Sequence, residues 1–63
     1  MTATYTVANI IDAFGFEYLV IVHAINDDVA SVFTVMKDGD HSGVYRRVPA
    51  ASLRNIRFAE LLA

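Results

Sequence analysis

Sixty-three residues leave room for one domain, and 56% of them are apolar against 19% charged, with a net charge of -2, one proline and no cysteine. These counts exclude a disulfide framework, a thiolate metal site and a cysteine nucleophile. The longest apolar stretch, Tyr18 to Ile25 with His23 inside it, falls short of the roughly 20 residues of a membrane-spanning helix.

The N-terminus carries no Lys or Arg through Thr6 and no apolar leader follows, so a cytoplasmic location is expected. A soluble domain is about 45 to 50% apolar, and one near 60 residues buries only about 60% of its unfolded surface. Part of the apolar excess is therefore expected to meet a partner. The charge is uneven: Met1 to Asp40 sums to -5 and His41 to Ala63 to +3. An anionic partner for the C-terminal third, or neutralisation between the two parts of the fold, would each explain that split.

Thr4 to Asp12 is rich in β-branched residues, with Tyr5, Val7 and Ile11 at odd positions, and reads as a first strand. Gly15 between Phe14 and Phe16 predicts a tight bend, since glycine alone takes positive φ without steric cost. Glu17 to Asn26 is a second strand, apolar on both sides: Leu19, Ile21 and Ile25 on one, Tyr18, Val20, Val22 and Ala24 on the other. A strand of that kind needs two covers. Asn26-Asp27-Asp28 is turn chemistry, and Val29 to Lys37 then alternates as a third strand.

Asp38 to Gly43 is a polar, glycine-containing loop. Val44 to Val48 is a short fourth strand that ends at Pro49, which lacks a ladder N–H. Beyond it, one reading is a 3₁₀ turn and a fifth strand, Arg54 to Phe58, with Ala59 to Ala63 as a short helix or tail. The other starts a helix at Pro49, which suits the first helical position. Propensity favours the helix, but Arg54, Arg57 and Leu61 fall on the side of Leu53, so no apolar stripe forms.

Val48-Pro49-x-x-x-Leu53-x-x-Ile56, following four strands, resembles the end of SH3-like small barrels, where a proline-initiated 3₁₀ turn precedes a closing strand. The resemblance covers about a third of the chain. It implies a mainly β domain spanning residues 1–63, a small antiparallel barrel of about five strands with a 3₁₀ turn near Pro49; the alternative is a four-stranded sheet plus a C-terminal helix. Peptide-binding SH3 domains carry a tryptophan pair, and this chain has no Trp, so proline-peptide binding is not implied. Gly43 to Ile56 also resembles the closing segment of plasmid-encoded type II dihydrofolate reductases, but Val44-Tyr45-Arg46-Arg47 stands where their active Val-Gln-Ile-Tyr run would be.

Asp38, Asp40 and His41 suggest a cation loop, but a calcium loop needs about twelve residues and a terminal bidentate Glu. His23 in an apolar strand is either a base or a ligand or, more simply, a half-buried imidazole bonded to backbone or water. Ser31, Ser42 and Ser52 lie in no nucleophile motif. The expectation is a non-enzymatic module without metal or cofactor, and no small-molecule substrate is expected.

The leading reading is self-association, or docking on another protein, through an apolar sheet face holding Tyr18, Val20, Val22, Phe33 and Met36, with Phe14 and Phe16 at its rim. A second reading is a nucleic-acid-binding regulator using Tyr45, Arg46, Arg47, Arg54 and Arg57, which pair guanidinium forks with an aromatic. A third is an acidic inhibitor of viral or mobile-element type, acting through Asp27, Asp28, Asp38 and Asp40.

Overall fold

The computed structural model describes residues 1–35 and 43–62. They form five antiparallel strands: β1 (Thr2–Ile11), β2 (Glu17–Asn26), β3 (Val29–Thr34), β4 (Tyr45–Pro49) and β5 (Arg54–Leu62). A 3₁₀ turn, Ala50–Ser52, joins the last two. The strand order is β4-β3-β2-β1-β5. β2 pairs with β1 over its first half (Glu17 to Ile21) and with β3 from Val20 onward, so the sheet parts along β2 and curls into a barrel-like body.

The residues from Arg54 to Leu62 are strand throughout, which settles the C-terminal alternatives against a helix and against a helical or loose end from Ala59 to Leu62. Good helix formers are overruled by pairing with β1, which aligns Phe58 with Thr6, Ala59 with Tyr5 and Leu61 with Ala3. Ladder bonds outweigh a propensity difference of a few tenths of a kcal/mol per residue. β3 ends at Thr34, short of the expected Lys37, and residues 36 and 37 lie outside the described ones.

Two bulges set which side chains share a face. Val22 pairs with Val32 and Ala24 with Ser31, so His23 is the extra residue on β2. Beyond it the alternation inverts: Ile25 comes to the face of Ala30 and Ala24 to that of Ser31, the reverse of uninterrupted alternation. On β5, Val7 pairs with Arg57 but Asn9 with Arg54, and Asn55 takes φ 53° at the irregularity. Asparagine tolerates that left-handed geometry better than most residues.

The core lies on one face and comprises Ala8, Ile10, Val20, Ala30 and Val32, with Tyr18, Val22, Val48, Ala50 and Leu53 packed against it. Neighbouring residues on the opposite face, Val7 and Ile21, are also buried. The middle of β2 is thus covered on both sides within a single chain. Gly43 is required by close approach: a Cβ there would run into the Thr34 carbonyl, whose residue also donates its N–H to Val44 and receives the Val44 N–H on Oγ1.

Candidate functional site

The tip of the β1–β2 hairpin is built around Asp12. Its carboxylate Oδ1 accepts the Phe14 N–H at 2.8 Å and the Phe16 N–H at 3.0 Å. Its backbone N–H donates to the Phe16 carbonyl at 2.9 Å, and its carbonyl accepts the Gly15 N–H at 3.0 Å. Gly15 sits at φ 85°, in the region that favours glycine. Four hydrogen bonds to one residue fix a short loop. That loop holds Phe14 86% and Phe16 70% exposed.

The sheet-face residues are placed differently from the expectation. Val20 has 0% exposure and sits in the core, so in the folded chain it offers no contact surface. Tyr18 and Val22 pack against that core and are half-buried. The physical reason is the curl of the sheet, which turns this face inward. Phe33 is half-buried on the opposite face, and Met36 lies outside the described residues.

On that opposite face, register aligns one residue from each strand in a single row, Tyr45, Phe33, Ile21, Val7 and Arg57. His23 meets Phe33 edge-on at 5.9 Å and Phe33 meets Tyr45 edge-on at 5.2 Å. A groove of about 390 Å³ opens where β1 leaves β2, walled by Tyr5, Ile21, His23 and Phe33 among others. The Tyr45 phenol donates to Ser31 Oγ at 2.9 Å. Once the phenol ionises, the Ser31 hydroxyl can donate to it in turn, and that bond together with the Arg47 guanidinium holds the Tyr45 pKa below its ordinary 10.0.

The arginines are dispersed. Arg46 and Arg47 align with Val32 and Ser31, hence on opposite faces, as alternation predicts. Arg46 Nη1 donates to the Tyr18 hydroxyl at 2.6 Å. Arg57 Nη1 donates to Asn9 Oδ1 and to the Asn55 carbonyl, both at 2.8 Å, and so braces the β5 bulge. Arg47 adjoins Tyr45, and Arg54 is exposed. Arg46 and Arg47 are on β4 and Arg54 and Arg57 on β5, the two edges of the sheet.

No protein-family model, curated protein or solved structure matches this chain. Among the described residues no group of three His, Asp or Glu is placed to hold a metal ion; the loop with Asp38, Asp40 and His41 lies outside them. Ser52 Oγ donates to the Pro49 carbonyl at 2.6 Å, a local turn bond, and Ser42 is outside the described residues. No helix is long and apolar enough to cross a membrane among the described residues.

The exposed apolar surface that composition led us to expect is present but displaced. It lies at the hairpin tip, along β5, where Ile56 is 53% and Phe58 79% exposed, and just before β4, where Val44 is 69% exposed. Alternation could not have revealed this, because it separates two faces without saying which is covered. The Asp12-x-Phe14-Gly15-Phe16 spacing was the available signal for the tip.

Proposed function

We propose that the chain is a non-enzymatic protein-binding module that docks through its aromatic hairpin tip. The observation that carries this reading is the pair Phe14 and Phe16, exposed yet held on a loop whose backbone is bonded to Asp12. Exposed aromatics on a fixed loop suit binding: they bring large apolar area, and the ordering cost of association is already reduced. The same strand order, with a 3₁₀ turn before the last strand, supports reading the body as an SH3-like barrel that serves as a scaffold.

The test is a pull-down from native host extract with the chain and with the double variant Phe14→Ser and Phe16→Ser. Both side chains are exposed, so the variant is expected to fold, with a stability change near ±0.5 kcal/mol. Loss of a retained protein in the folded variant supports the reading. Identical capture by both proteins overturns it.

A second reading, nucleic-acid contact through Tyr45, Arg47 and Arg54, draws on the exposure of all three residues and their place on one face. It requires affinity that falls with salt at a log-log slope of about -0.9 per phosphate neutralised. A salt-independent signal, or none at low salt, removes it.

A further inference from the structure

The two edges of the sheet are treated differently. β4 is five residues long, carries Arg46 and Arg47, and ends in Pro49, which are the devices that keep an edge strand from pairing with another chain. β5 also carries charges, Arg54, Arg57 and Glu60, but it is nine residues long, contains no proline and exposes Ile56 and Phe58. Among the described residues it is hydrogen-bonded to β1 on one side only. Phe58 is aligned with Thr6 of β1, so no large apolar neighbour covers it across that ladder.

We propose that the free edge of β5 pairs antiparallel with β5 of a second copy, on a two-fold axis at Phe58. Opposed residues of antiparallel strands share a face, so an axis normal to the sheet must pass at a residue and not between two. The regular part of the strand begins beyond the Asn55 irregularity, and its sequence from Ile56 to Glu60 is Ile-Arg-Phe-Ala-Glu. An axis at Arg57 sets two guanidinium groups opposite each other, and one at Glu60 sets two carboxylates; both are unfavourable.

An axis at Ala59 sets each Phe58 against Glu60. The axis at Phe58 opposes the two aromatic rings, places Arg57 opposite Ala59 and Ile56 opposite Glu60, and opposes no like charges. Of the five axes from Ile56 to Glu60, those at Ile56, Phe58 and Ala59 oppose no like charges, and among these the axis at Phe58 alone sets two aromatic rings against each other. That selects a second copy as the occupant over an unrelated strand. This contact is separate from the hairpin tip, so either can fail without the other.

The test combines solution mass with cross-linking. The chain has no cysteine, so single-cysteine variants report cleanly. Sedimentation is expected to give twice the 6.9 kDa chain mass, returning to the single mass in Phe58→Asp, with circular dichroism showing that the variant is folded. Under mild oxidation Phe58→Cys is expected to form a disulfide-linked dimer faster than the exposed control Ile25→Cys, because opposed Cα atoms in a ladder lie within disulfide reach. A wild-type chain that remains a single copy at high concentration overturns the inference. So does cross-linking that is fastest for Ala59→Cys, or no faster for Phe58→Cys than for Ile25→Cys.

Discussion

Val20 and Val29 offer the same chemical deletion in two surroundings. Val20 is 0% exposed in the core, whereas Val29, at the end of the β2–β3 hairpin, is 43% exposed. Val20→Ala removes two methyl groups worth about 0.8 kcal/mol each on burial. It also leaves a cavity of about 50 Å³, which at about 24 cal/mol per Å³ adds roughly 1.2 kcal/mol. The expected loss is therefore about 2 to 3 kcal/mol. A domain of this size holds about 3 to 9 kcal/mol in all, so the Tm should fall by about 10 to 20 °C. Val29→Ala opens no closed cavity and should cost about 1 kcal/mol or less. Urea unfolding at one fixed protein concentration measures both, provided the m values are unchanged. Equal losses at the two sites would refute the placement of the core.

Asp12→Ala should cost about 1 kcal/mol and speed hydrogen exchange at the Phe14 and Phe16 amides, while exchange in β3 should follow only the global change in stability. Gly15→Ala meets no atom within 4 Å of its new Cβ, so its expected loss of about 1 to 2 kcal/mol comes from positive φ alone, and Gly15→Asn should lose less in a thermal melt. Gly43→Ala, facing the Thr34 carbonyl, should lower the Tm by more than Gly15→Ala does. Tyr45 should ionise below pH 10.0 in ultraviolet titration, and Ser31→Ala should move it back up. Because its folded pKa is the lower one, Tyr45 favours the fold above the ordinary tyrosine pKa, and that contribution is lost as pH falls through the folded value; the Tyr45→Phe chain should lack this dependence.

The strand pattern was legible where local chemistry and pairing agree. Continuous apolar residues from Tyr18 to Val22, the Asp27-Asp28 turn and the Pro49 stop all appear where the sequence places them. The faces beyond His23 were not legible, because a bulge adds one residue to a strand without leaving a compositional mark, and that one residue exchanges Ala24 with Ile25. The reach of β5 to Leu62 was hidden for another reason: Ala59, Glu60 and Leu61 prefer helix, and only the distant partners Ala3 to Tyr5 hold them extended. Burial of Val20 was ambiguous in principle, since Val20 and Ile21 are both covered. The candidate site was half visible, with the Phe-Gly-Phe tip readable and the free edge of β5 readable only after the strand order was known.

The ladder that aligns Thr2 with Leu62 imposes an order on assembly. The hairpins β1–β2, β2–β3 and β3–β4 join neighbours in the chain and can form as each emerges from the ribosome. β1, made before the other four strands, waits for the fifth. Until β5 arrives, the flank of β1 that takes up β5 stays open, and the nascent chain carries an edge that a chaperone or another nascent copy can occupy. Closure over so long a loop also makes folding slow for a chain this short.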